Sequence, residues 1–158
     1  MKDETKKRIR ILGWILFAIY IILLAYALFL SEAYGRKDFA TRDYRYNLIP
    51  FREIKRFWIY REKLGMISFL NLAGNVIGFI PFGFIMPILG KKRLKAVIVI
   101  TSGFLCSLWV ECMQLILKVG SFDVDDILLN TLGVVAGYII FFVSNKIRRL
   151  LYEPKKKI

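Results

Sequence analysis

Four apolar runs, residues 11–30, 66–89, 96–117 and 127–143, contain between them a single acidic or basic side chain, Glu111. Stretches of about 17 to 25 such residues match a hydrocarbon layer roughly 30 Å thick, and a chain of 158 residues has little left over for a separate soluble domain. The mean hydropathy of +0.52 and the 57% share of hydrophobic residues agree with this. The sequence therefore predicts an all-α integral membrane protein with four transmembrane helices, residues 1–158 forming a single membrane domain. The net charge of +13 does not contradict this, because the basic residues all lie outside the apolar runs. That placement excludes a nucleic-acid module and leaves the bases to set orientation.

Histidine is absent, which removes imidazole catalysis, His metal ligation and any Ser-His-Asp triad. Cys106 and Cys112 lie six residues apart in the third run, on different faces of a helix, so neither a disulfide nor a zinc site is expected. No cofactor or metal is implied. The basic start before residue 11 resembles a signal peptide, but an h-region is usually about 7 to 15 residues, and no small-x-small cleavage site follows. The first run reads as an uncleaved span.

Short loops carry the orientation signal. Residues 90–95 contain Lys91, Lys92, Arg93 and Lys95 and no acid, whereas residues 118–126 contain one lysine against Asp123, Asp125 and Asp126. The first loop is expected in the cytoplasm and the second outside. Both termini are rich in lysine and arginine and are expected in the cytoplasm, the parity that four spans require. The long loop, residues 31–65, is then extracellular despite its nine bases and five acids. Within it Pro50 pre-sets a helical turn, and Phe51, Ile54, Phe57 and Trp58 recur at helical spacing between Arg52, Lys55, Arg56, Arg61 and Lys63. The pattern predicts an interfacial amphipathic helix that either lids the bundle or touches lipid headgroups.

With this topology the polar residues of the spans gather near the outer surface. Asn71 and Asn75 stand one turn apart in the second span; Ser107, Glu111 and Gln114 share a face of the third. Asp126, Asn130, Gly133 and Gly137 share a face of the fourth. An acid at such depth costs roughly 2 kcal/mol or more unless paired, hydrated or protonated, so Glu111 is either a packing carboxyl or part of a site. Of Asp123, Asp125 and Asp126, one is expected merely to cap the fourth helix. The pairs Gly74 with Gly78 and Gly133 with Gly137 predict close helix approach below the polar cluster.

Four of these segments together resemble the signature stretches of the VanZ-like family of small bacterial membrane proteins. Asn47-Leu48-Ile49-Pro50-Phe51 is similar to its NLIPF stretch. Asn71, Gly74 and Asn75 with Phe79-Ile80-Pro81-Phe82-Gly83 resemble its N-x-x-G-N and F-x-P-F-G elements, and Glu111 with Gln114 its E-x-x-Q pair. Phe122 to Asp126, with Asn130, Thr131, Leu132 and Gly133, resembles its FDxDD-x-x-x-NTLG stretch. Where family members often carry an arginine two residues before that Phe, this chain has Gly120, with Lys118 nearby. The resemblance implies a multi-pass protein of the bacterial plasma membrane, associated with lowered susceptibility to teicoplanin-type glycopeptide antibiotics.

Three functions fit these residues. The first is an outer-leaflet polar pocket that binds or modifies an amphipathic cell-envelope molecule: a membrane lipid, a lipid-linked cell-wall precursor or a lipoglycopeptide. Its ligand-binding residues are expected to be Asn47, Arg52, Asn71, Asn75, Gln114, Asp123 and Asn130, alongside Glu111 and Asp126. Acids and amides hold hydroxyls or ammonium groups, and Arg52 suits a phosphate. The second is a membrane-embedded enzyme acting on a lipid headgroup or lipid-linked precursor, in which Glu111 is the general base and Asp126, with Asp123, acts as the acid or carries a metal. The third is a structural or accessory subunit. The loop charges make a prediction of their own: in a background lacking Cys106 and Cys112, a cysteine at Ser121 should react with an impermeant thiol reagent on intact cells. One at Lys92 should react only after lysis, and labelling of position 92 from outside would reverse the topology.

Overall fold

The computed structural model of the protein describes residues 3–30, 43–90 and 94–152. Helix α1 (Asp3–Ala25) runs into one wider π turn (Tyr26–Leu30). After a two-residue strand β1 (Tyr46–Asn47) come α2 (Arg52–Leu89), α3 (Ala96–Ile116), a second short strand β2 (Phe122–Asp123) and α4 (Val124–Tyr152). Four of these helices contain stretches long and apolar enough to cross a membrane: Lys7–Phe29, Phe69–Leu89, Ala96–Ile116 and Val124–Leu151. The expected four-helix membrane architecture is therefore present. Lys91, Lys92, Arg93 and the lysines at 155–157, on which part of the orientation rests, lie outside the described residues, as do residues 31–42 of the long loop.

The core is built around Val134 of α4, which is completely buried together with Phe79, Phe82 and Val99. Hydrocarbon offers no hydrophobic gain for bringing helices together, so close contact must come from small residues. A methyl group built on Gly133 or Gly137 of α4 would fall on the Val76 or Ile80 carbonyl of α2, and one on Gly83 of α2 would fall on the Val134 carbonyl. The Val134 side chain itself fills the space over Gly103 of α3. Each backbone thus presses an oxygen into the other's glycine. The expectation for the first pair is corrected: Gly74 faces open space and Gly78 meets only Leu24 at 3.7 Å. Gly83, a turn and a half further along, takes that role. Helix α1 packs on the outside through Phe17 against Phe82, with ring centroids 5.6 Å apart, and through the Tyr20 hydroxyl, which donates to the Gly78 carbonyl at 2.9 Å. Most of its remaining apolar side chains are exposed, as suits a helix surrounded by lipid.

The loop helix and the second span prove to be one hydrogen-bonded element, α2, but it cannot be straight. Asp125 accepts from the Glu53 amide while its neighbour Asp126 accepts from Asn75. Two consecutive carboxylates reach groups no more than roughly 20 Å apart, whereas a straight helix from residue 53 to residue 75 rises about 33 Å. The Phe57 and Phe69 rings, 6.0 Å apart, would likewise be separated by about 18 Å of rise along a straight axis. Helix α2 therefore bends sharply between Phe57 and Phe69, a stretch that contains Gly65, and lays its first limb over the start of α4. Pro50 sits just outside this helix, because Phe51, the residue before it begins, is left-handed at φ 63°. Gly133→Ala should lower the apparent Tm of the detergent-solubilised protein by several degrees, consistent with a loss of about 1 to 3 kcal/mol from overpacking. Gly74→Ala should leave it unchanged or raise it, and equal losses in both would refute the glycine interlock.

Candidate functional site

The segment between α3 and α4 is ordered by its own carboxylates and amides. Helix α3 ends in a Schellman turn, with the Lys118 amide bonded to the Leu115 carbonyl at 3.1 Å and the Val119 amide to the Gln114 carbonyl at 3.1 Å. Strand β2 then pairs in parallel with β1, Tyr46 opposite Phe122 and Asn47 opposite Asp123. Glu111 holds this strap from below: its Oε2 accepts the Asp123 amide at 3.0 Å, and the side chain is 2% exposed. Asp123 caps α4, accepting the Asp125 amide at 2.8 Å and the Asn47 side-chain amide at 3.0 Å. Burial raises the Asp123 carboxyl above its ordinary pKa, against the lowering effect of those two donors.

Asp125 does something the sequence did not suggest. Its carboxylate leaves its own helix and accepts the backbone amides of Phe51, Glu53 (2.7 Å) and Ile54 (3.3 Å). These are orphan donors at the start of α2, whose preceding residue, Phe51, has no side chain able to accept them. A carboxylate from α4 thus caps α2 and meets the positive end of its dipole.

Beside this strap lies a recess of about 270 Å³. Asp126 lines it and accepts from Asn75 on α2; Asn71, one turn away, lines it too. Gln114 forms a further wall, its Nε2 donating to the Leu28 carbonyl at 3.1 Å, so the π turn that follows α1 closes that side. The strap contributes Asp43 and Arg45, and the turn after α3 contributes Lys118, Gly120 and Ser121. The Nζ of Lys118 stands 4.7 Å over the Tyr44 ring.

The residues singled out from sequence fall into four places. Asn71, Asn75, Gln114 and Asp126 meet in the recess. Asn47, Glu111 and Asp123 form the hydrogen-bonded strap behind it, and none of the three lines the recess. Asn130 lies deeper, donating to the Ser107 hydroxyl at 2.9 Å, with its Oδ1 buried and unpartnered. Arg52 is exposed at the start of α2, away from the recess lining. Asp43, Arg45 and Lys118 were missed, since nothing in the pattern of a polar loop marks which of its many charges will border the recess. For Lys118 a signal existed: the position after a helix end favours glycine, and a lysine there is anomalous once α3 is known to stop at Ile116.

A family model described as VanZ/LLP1 matches residues 17–145, a stretch that contains every residue lining the recess. Protein VanZ of Enterococcus faecium is 28% identical to this chain over 138 residues, covering 87% of this chain and 78% of that protein. No solved structure matches. The two neighbouring aspartates make a sharp prediction. Asp125→Ala leaves three amides of α2 without an acceptor and should cost about 2 kcal/mol or more, lowering the apparent Tm in detergent. Asp126→Asn keeps an acceptor for Asn75 and should change stability by less than about 1 kcal/mol. The opposite order would mean that the caps are misassigned.

Proposed function

The chain belongs to the VanZ/LLP1 family, and on that premise we propose that this multi-pass membrane protein binds the polar head of an amphipathic cell-envelope molecule in the recess at the outer end of its bundle. The observation that carries the reading is the recess itself: acids, bases and amides from five separate segments line one space of about 270 Å³ where the apolar spans end. A helix bundle that needed polar residues only for packing would close them on one another. Here the close packing is supplied by the glycines of α2 and α4 and by the capped strap; Asn75 bonds Asp126 and Gln114 bonds the Leu28 carbonyl, while Asn71, Asp43, Arg45 and Lys118 border the space without bonding one another. The apolar π turn after α1, at Leu28, supplies the wall along which an acyl chain leaves toward lipid.

Binding is preferred to turnover on a second ground. The general base suggested by sequence, Glu111, is committed to the Asp123 amide and lies behind the strap, out of reach of a ligand in the recess. The plasma membrane of a bacterium is the expected location, with loop 118–126 outside. The ligand is a membrane lipid, a lipid-linked wall precursor or a lipoglycopeptide of the teicoplanin type that the family resemblance implies. The test is a photoreactive residue in place of Ser121 in full-length protein within native membranes. Irradiation should yield an adduct whose mass identifies an envelope lipid or lipoglycopeptide, and Asp126→Asn in the same background should reduce its yield about tenfold. An adduct-free protein, or a yield indifferent to Asp126, would remove the recess from the function.

A further inference from the structure

The recess is lined by two carboxylates, Asp43 and Asp126, and two cations, Arg45 and Lys118. Charges of opposite sign in a small space ordinarily close into ion pairs. These do not: among the described residues the ion pair formed is Arg56 with Glu53, on the first limb of α2, and none of the four lining charges is ion-paired. Asp126 meets only the neutral amide of Asn75, and Lys118 lies over the Tyr44 ring. Acids and bases line the same space without pairing to one another, which suits a ligand that carries both signs.

Lys118 adds an independent observation. It occupies the left-handed position after α3 at φ 56°, where glycine is unstrained and a side chain costs about 1 kcal/mol or more. Its place at the C-terminal end of α3 recovers part of this through the helix dipole. The remaining cost is what a structural turn would avoid by using glycine, and such strain accompanies sites where a side chain must be aimed. Tyr44 then fixes the ammonium against the strap segment that also bears Asp43 and Arg45. A volume of about 270 Å³ accepts a headgroup but no whole lipid, so the chains must lie outside, along α1, where Ile19, Ile22 and Leu23 are exposed.

We propose that the recess recognises a dipolar phosphate headgroup of the phosphoethanolamine kind, its phosphate held by Arg45 and Lys118 and its ammonium by Asp126 and Asp43. This rests on the binding reading above and names the chemistry of that same site. Asn71 and Ser121 supply further polar groups at the rim.

The full chain in a nonionic detergent, titrated by native mass spectrometry, tests the proposal with four lipids: phosphatidylethanolamine, phosphatidylglycerol, diacylglycerol and a neutral monoglucosyl-diacylglycerol. Phosphatidylethanolamine should bind at least about tenfold more tightly than the other three. Arg45→Gln with Lys118→Gln should reduce it to the level of diacylglycerol, and Asp126→Asn to that of phosphatidylglycerol. Lys118→Gly guards against misfolding: it relieves the left-handed strain, so the apparent Tm should rise while phosphatidylethanolamine binding falls about tenfold. Glycerophosphoethanolamine that competes at millimolar concentration would assign a soluble phosphate ester as the source, and its failure to compete would assign the intact lipid. Wild type that prefers the neutral glycolipid, with the charge variants indifferent, overturns the dipolar ligand but leaves the binding site. Capture of none of the lipids overturns both.

Discussion

The carboxylate of Asp125 is the interaction on which the rest of this end of the bundle depends. A helix start leaves amides without partners, and in α2 the residue before the first turn is a phenylalanine in the left-handed conformation. Asp125 satisfies three of those amides from another helix. One side chain therefore determines where α2 begins, that its first limb lies across α4, and that α2 must bend to return to the bundle. Asp123 can then cap α4 without competition, since the carboxylates of Asp123 and Asp125 face different helices. An exposed cap is worth about 1 kcal/mol, but one whose carboxylate is fully buried leaves behind three desolvated donors if lost.

Below this capped end the bundle is held by a different device. The carbonyls of Val76 and Ile80 rest on Gly133 and Gly137, and the carbonyl of Val134 rests on Gly83. Approach this close brings backbone dipoles and Cα–H groups into contact and supplies the dispersion energy that lipid does not. Because the two helices are locked there, the polar residues one and two turns above are fixed in relative height. Asn75 reaches Asp126 for that reason, and Asn130 reaches Ser107. The packing and the candidate site are thus separate in their residues yet coupled in geometry: the glycines set the spacing, and the caps set the roof.

The charges that remain are those neither device uses. Asp43, Arg45 and Lys118 sit on the strap and on the turn facing it, segments joined by a two-residue parallel bridge and by the Phe122 amide donating to the Arg45 carbonyl at 3.0 Å. So short a bridge owes its position to Glu111 beneath it, which holds the Asp123 amide. The single acid of the four apolar runs thereby acquires a purpose that does not require it to touch a ligand. A buried acceptor for a buried amide is needed wherever a strand ends against a helix bundle, and the positioned strap is what carries Arg45 to the recess.

The amino-acid order by itself determined the spans, because the absence of charge over about 20 residues has one physical meaning in a chain this apolar. It also placed Asn71, Asn75, Gln114 and Asp126 at a common depth, since helical rise converts residue number into height. Helical phase likewise anticipated the shared face of Gly133 and Gly137. Only the tertiary structure decided which polar groups face one another. Spacing pointed to Gly74 with Gly78, and the rotation of α2 against α4 chose Gly83 instead. Three aspartates in four residues have the same chemistry, and their directions around the first turn of α4 made one a cap for its own helix, one a cap for α2 and one a wall of the recess. Arg45 and Lys118, more than 70 residues apart in the chain, were brought to one space by a strap whose pairing is non-local. No local pattern encodes that closeness, because the bend in α2 and the bridge between β1 and β2 both depend on side chains reaching across the bundle.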